Sequence, residues 1–552
     1  MRFTSLCILL CSLCYTRVCA QSPIVPSKKD TLKGSITSDR VWWDLHHYAL
    51  TIQPDFDRKF ISGSNEITFK VVTTNKDRFM QIDLQQPMHI DSARYGQQSL
   101  EVQQNGDVWF LKFPILKLHS IYRVKIYYSG KPKESFNPPW DGGVSWTLDS
   151  LGRPWITTGV QNVGASVWFP CKEHQSDEPN NGTSMSIIVP DTLVGVGNGR
   201  LIKKIVHQNK TATYTWEVKN PINHYGLALY IGKYVELKEG YEGELGMLNT
   251  DYWVMDYHAE KVHSYLKKEV DRTLRTFEYW FGPYPFYKDS FKMVEAPYPG
   301  MEHQSAIAYG NGFKFGRVKT NNLGYWDLKT DRLVVHEIAH EWFGNSITTN
   351  DVTDQWIHEG FAGFAEELFI EQQYGKKAAK EFFEARTTGR TKNTETLIRR
   401  YGIFESGGSY VYLRGWKLIH MLRKIIDNDA KFRHILRSVC REFHHKNINS
   451  IEMERYITKL SGKNLAPVFN QFLRNKGVPV FEFQLSGNEM RYRYSNCVSG
   501  FTMPLKTNLT ENKWLVPDTK WKRIKLSSPI EFPLTIDSDF YVELKSIVKN
   551  EP

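Results

Sequence analysis

The sequence predicts a multidomain α+β chain: an N-terminal antiparallel β domain, a mostly helical central domain and a small C-terminal β domain. Three observations carry this. Residues 40–235 alternate apolar and polar side chains, or run through β-branched and aromatic residues, at the period of strands. Near residue 255 the apolar spacing changes to that of helices, and after Pro479 the strand period returns. The length of 552 residues exceeds what one core can organise.

Taken in order, Met1–Ala20 reads as a signal peptide. Arg2 supplies a positive start, Leu6 to Tyr15 an apolar run too short to span a bilayer, and Val18-Cys19-Ala20 a small-residue cleavage site before Gln21. The mature chain is therefore expected to be exported, to the periplasm or the medium, with no integral membrane segment. Residues 21–235 form the β domain, from "HYALTIQPD", "GSNEITFKVV", "SLEVQQNGDVWFLKFP" and "YRVKIYYSG" to "SMSIIVP" and "TATYTWEV". Asn105-Gly106 lies between two of these runs as a hairpin turn. Residues 236–477 are read as mainly helical, from "KVHSYLKKEVDRTLRTFEYWFG" to "NLAPVFNQFLRNKG". Residues 478–552 return to strands with "VFEFQLSGNEMRYRYS".

Composition narrows the function classes. Hydrophobic residues make up 41% of the chain and aromatics 14%, as in a globular protein. Net charge is +11, falling to +9 once Arg2 and Arg17 leave with the signal segment. The cations are scattered, with no basic block interleaved with aromatics, so nucleic acid is not an expected partner. Four of the seven cysteines lie in the signal segment. The remaining Cys171, Cys440 and Cys497 are too few and too far apart for a disulfide scaffold. Sequons stand at Asn181, Asn209 and Asn508.

The chemistry is concentrated in "DRLVVHEIAHEWFGN", residues 331–345. On a helix, His336 and His340 share a face. The apolar residues around them imply burial, which two imidazoles and a carboxylate resist unless something satisfies them. A catalytic zinc takes three protein ligands and keeps one position open. Glu359, nineteen residues after His340 and early in "WIHEGFAGFAEELF", is the candidate third ligand. Glu337, beside the ligands, can serve as general base. Glu366, two turns further on, either supports a histidine ligand from behind or is a surface carboxylate.

Four motifs, in this order along the chain, resemble the M1 (gluzincin) aminopeptidases, the family that includes aminopeptidase N and leukotriene A4 hydrolase. "GVQNVGASVWFPCKEHQSDEP" resembles the edge of the family's N-terminal domain that completes the substrate pocket. "PYPGMEHQSAIAYG" is similar to its G-x-M-E-N exopeptidase motif. "HEIAHEW" with "HEGFA" resembles its zinc site, and "YVYLRGWKLIHML" the segment bearing its catalytic tyrosine. The resemblance implies a thermolysin-like catalytic domain holding one Zn²⁺ on His336, His340 and Glu359. It implies Glu337 as base and proton shuttle, and Tyr412, in register with Arg414-Gly415, as oxyanion stabiliser in preference to Tyr410. It also implies Glu302, helped by Gln161, as holder of the substrate's α-ammonium, and Gly300 as a backbone contact to the peptide. The partners are then peptides with a free N-terminus.

The sequence departs from the family pattern in three places. His303 and His358 replace asparagines, bringing groups that titrate near neutrality when exposed, and Arg414 replaces a lysine. The family's large helical C-terminal domain has no counterpart in the 552 residues, which predicts a more open cleft. Two alternatives stand beside the aminopeptidase expectation. A zinc endopeptidase conflicts with an amine anchor that closes the groove. A non-catalytic peptide-binding protein has no need of Glu337 or Tyr412.

Overall fold

The structure is a computed structural model that describes residues 28–74, 76–316, 324–387, 394–405, 408, 410–508, 514–526 and 533–547. Met1–Ala20, expected from the sequence to be a signal peptide, lies outside the described residues.

An eight-stranded sheet dominates the N-terminal part. Its centre is Trp43–Asp55, paired antiparallel with Phe60–Val71 on one side and parallel with Thr183–Pro190 on the other. The antiparallel expectation fails at that one pairing. Thr183 is reached only after a long excursion through other strands, and without a hairpin the turn does not dictate direction. The Asn105-Gly106 hairpin is present, joining Glu101–Asn105 to Val108–Lys112, with Gly106 at φ 64°. A separate four-stranded sheet contains Gly143–Leu148 and Pro154–Gly159, paired antiparallel.

A five-stranded sheet, Tyr234–Gly243, Gly246–Met255, Phe291–Glu295, Ile307–Tyr309 and Gly300–Met301, follows. It is the hinge between two cores, because its side chains alternate between them. Met293 and Ile307 join the core of the helical part, whereas Val294 and Ala308 join that of the β part. The strand period thus builds one wall with a core on each face. Gly300 and Met301 sit on this wall in register with Tyr309 and Ala308.

Behind the wall, three helices carry most of the candidate chemistry. We call them the His helix (Arg332–Ala339), the Glu helix (Trp356–Tyr374) and the Tyr helix (Tyr410–Ile426). The Glu helix is buried on every side from Trp356 to Ile370, which explains its nearly continuous apolar sequence. The segment between the His and Glu helices contains the strand Ile347–Thr349, paired parallel with Lys446–Ile448.

The C-terminal strands form a four-stranded sheet around Val480–Ser486 and Glu489–Ser495. Phe481, Tyr494, Phe501 and Leu505 belong to the same continuous core as the three helices. Cys171 and Cys440 are buried, Cys497 is partly so, and all three are free thiols. No helix among the described residues is long and apolar enough to cross a membrane.

Candidate metal centre and substrate cleft

Asp331 starts the His helix. Its side chain accepts from the amides of Leu333 (3.2 Å) and Val334 (3.4 Å), and also from the hydroxyls of Tyr265 and Tyr309 and the amide of Asn311. His336 lies one turn in, and His340 follows the last helical residue with its backbone still helical. Their rings meet edge to face at 4.9 Å. Phe343 stacks on Phe361 at 4.3 Å and so seats the end of the histidine segment on the Glu helix.

The two imidazoles are oriented from behind. His336 Nδ1 is 2.9 Å from Glu366, and His340 Nδ1 is 3.0 Å from the Phe343 carbonyl. Each Nδ1 therefore donates outward, and both Nε2 atoms turn inward. Those Nε2 atoms are 3.3 Å apart and stand 3.4 Å and 3.5 Å from Glu359 Oε2. Tetrahedral ligands at ordinary zinc distances are separated by about 3.3–3.5 Å. Glu359 Oε2 is buried and makes no hydrogen bond to any described residue. Two imidazole nitrogens and a carboxylate oxygen gathered within 4.8 Å of one another at a buried point are a donor set that fits a divalent cation.

Electrostatics agree with this geometry. Burial opposes charge on the histidines, yet Glu359 and Glu366 push His336 up to about 10, and Glu359 with Glu302 pushes His340 up to about 9. The pocket is therefore rich in negative charge. Burial also works against ionisation of Glu366, but Arg332 and His336 hold its carboxyl well below the usual range. Its second oxygen takes Arg332 Nε at 2.7 Å. Of the two readings open for Glu366, the structure thus shows the buried supporting carboxylate.

The remaining sequence candidates surround the same cleft, a cavity of about 340 Å³. Glu337 lines it beside the trio. Gly300 is pressed against Glu337: a Cβ built on it would stand 2.7 Å from Glu337 Oε1. Gln161, delivered by the segment after Pro154–Gly159, donates one amide to Glu302 and to Glu359, the latter at 2.9 Å. Glu302 is held by its backbone, whose carbonyl accepts from Asn345 at 3.0 Å. Burial raises the Glu302 carboxyl to about 7, with Glu359 and Glu337 adding and His340 opposing.

Tyr412 lies nearly parallel to the His336 ring at 6.1 Å and lines the cleft. Burial, and then the carboxylates of Glu359 and Glu302, keep its phenol protonated and available as a donor. Tyr410 is turned elsewhere, its hydroxyl against the Arg399 guanidinium.

The three departures prove to be structural. Burial drives His303 and His358 down to about 3, so both are neutral at physiological pH, and the expectation of titration near neutrality does not hold. His303 Nδ1 pairs with the Tyr230 hydroxyl at 2.5 Å. Arg414 points away from the cleft and donates to the carbonyls of Glu395 and Phe472. Sequence reasoning missed Arg332, although its position four residues before His336 placed it on the same face of the helix.

Comparison with known proteins follows the same lines. Residues 266–472 match the model of the Peptidase family M1 domain, and residues 45–225 that of the Peptidase M1 N-terminal domain. Leucine aminopeptidase 2 of Vanderwaltozyma polyspora is 21% identical over 77% of this chain and 64% of its own length. Aminopeptidase 2, mitochondrial, of Saccharomyces cerevisiae is 24% identical over 80% of this chain and 47% of its own. The chain spans about half the length of the curated relatives it matches. Among solved structures, an M1 zinc metallopeptidase from Deinococcus radiodurans superposes with TM-score 0.65 at 21% identity, covering 80% of this chain and 95% of that one. Legionella pneumophila aminopeptidase A, in complex with aspartic acid, gives 0.76 at 15%, covering 91% and 60%. Both family models fall in order on the two cores that the five-stranded sheet joins, and the chain belongs to peptidase family M1.

Proposed function

We propose that the protein is a zinc-dependent aminopeptidase that hydrolyses the N-terminal bond of peptides. The observation that carries this is Gln161, whose amide ties the third ligand candidate, Glu359, to Glu302. A buried carboxylate placed one side chain away from the metal ligands selects a positive group beside the bond to be cut, and a peptide's α-ammonium is that group. The same anchor closes the cleft to a continuous chain and disfavours the endopeptidase reading.

His336, His340 and Glu359 would hold the metal, which supplies Lewis acidity and an activated water when bound. Glu337 takes the proton from the attacking water and returns it to the departing nitrogen. Tyr412 donates its hydroxyl to the developing oxyanion, which burial makes the more effective. Glu302 and Gln161 hold the amine so that the first carbonyl lies over Glu337.

Zinc-loaded protein should cleave aminoacyl amides with a free amine and leave their N-acetyl forms intact. Equal cleavage of both would sink the aminopeptidase reading. Bound zinc without turnover of either would favour a peptide-binding protein. Glu337→Gln should retain the metal and lose activity by about 10³-fold. Export is also part of the proposal, supported by the charged, apolar and small-residue pattern of Met1–Ala20. N-terminal sequencing of the mature protein should begin at Gln21.

A further inference from the structure

We propose that the cleft also contains a carboxylate-recognition site built on Arg332. It lies on the leaving-group side of the bond, so that favoured substrates present a carboxylate just beyond the bond that is cut. This rests on the aminopeptidase reading, which fixes the end of the cleft that takes the amine.

Two flanks of the ligand trio are distinguishable. On one, polar atoms of Glu302, Glu337 and His340 gather within 4.8 Å. On the other, His336 leads through Glu366 to Arg332, at 2.9 Å and 2.7 Å. Arg332 therefore stands beyond the ligands from the amine anchor, in the wall of the same cavity, which Leu333, Leu413 and Trp416 also line.

Arg332 is 9% exposed. Its Nε is fixed by Glu366, with Asp327 3.4 Å away. Against the pull of burial, these two carboxylates hold the guanidinium charged. Its two terminal NH₂ groups make no hydrogen bond to any described residue and are not fully buried, and the residue lines the cleft. A buried guanidinium in the cavity wall, pinned at one nitrogen, thus keeps a pair of NH₂ donors unused by any described residue. Arg386, 3.3 Å from Asp327, lines the cavity too. Two guanidiniums face two carboxylates here, Asp327 and Glu366, so attraction of an anion comes from directed donors rather than from excess charge. The planar fork suits a carboxylate, and leaving such donors dry and unpaired is costly when a neutral group fills the subsite.

The carboxylate can come from an acidic side chain at the second residue or from the C-terminus of a dipeptide. Four substrates separate these: Ala-Asp-NH₂ against Ala-Asn-NH₂, and Ala-Ala against Ala-Ala-NH₂. Zinc-loaded wild type should show a kcat/KM ratio of about tenfold or more in favour of the acid in at least one pair. The pair that shows it names the source. Arg332→Gln should bring that ratio to about one, and Arg332→Lys, which keeps a point charge but not the fork, should fall between. Reading a ratio within each variant cancels any loss of metal or fold, since Arg332 also steadies Glu366. Binding of the four peptides to Glu337→Gln, measured by calorimetry, gives the same ratio without turnover. A carboxylate preference in binding with no cleavage of any peptide by wild type would overturn the peptidase reading and keep the site. Cleavage with ratios near one in both pairs, or a ratio unmoved by both Arg332 substitutions, would overturn the site.

Discussion

At the scale of single residues, the centre depends on what stands immediately behind each reacting group. Glu337 is kept in place partly by what Gly300 lacks. An alanine there puts a methyl group 2.7 Å from the carboxylate oxygen. Gly300→Ala should therefore lower kcat by about 10²-fold through displacement of the base, with zinc content unchanged by metal analysis. Glu366 works through His336, fixing its tautomer from the far side. Glu366→Gln should weaken zinc affinity by about 10–100-fold, as read by competition with a chelator. Retention of wild-type affinity would mean that His336 needs no such support.

At the scale of elements, the decisive contact is between two glycines. The Glu helix and the Tyr helix cross where Gly360 meets Gly415, and a Cβ on Gly360 would stand 2.9 Å from Gly415 backbone. This crossing carries Glu359 and Tyr412 to the same cleft, and Trp416 locks it by donating to Glu367 at 2.7 Å. Gly360→Ala gains helix propensity but forces the helices apart. Overpacking of this kind costs about 1–3 kcal/mol, so a net fall in melting temperature is expected, with a larger loss in kcat than in zinc content. A stabilised, fully active variant would refute the close crossing. The periodicities that define these helices were legible in the sequence. That two of them meet at glycines was not, because spacing along one helix says nothing about which neighbour it touches.

At the scale of the whole molecule, Asp354 joins parts of the chain nearly a hundred residues apart. It precedes the Glu helix and accepts from Ser450, at the start of another helix, and from Tyr401 at 2.9 Å. Burial raises its carboxyl to about 6, with the Ser450 and Tyr401 donors opposing. The unfolded chain loses this proton near pH 4 and the folded one near pH 6, so stability falls as pH rises through that window. The drop is at most about 3 kcal/mol for a two-unit shift. Asp354→Asn keeps an oxygen for both donors, and should flatten the change in urea midpoint between pH 4.5 and 7. An unchanged slope would remove Asp354 from the account.

The sequence by itself determined the order of the β, helical and β parts and marked His336, His340 and Glu359, with Glu337 beside them, as a candidate metal site; Tyr412, Glu302 and Gln161 entered only through the resemblance of their motifs to the family. It could do so because periodicity and motif spacing are local properties of the chain. Only the tertiary structure decided that Thr183–Pro190 runs parallel to Trp43–Asp55, that His303 and His358 are held neutral, and that Arg414 faces away from the cleft. It alone set Arg332 in the cavity wall, held through its Nε by Glu366. Burial, register and the partner across a contact depend on segments far apart in sequence, and no local pattern encodes them.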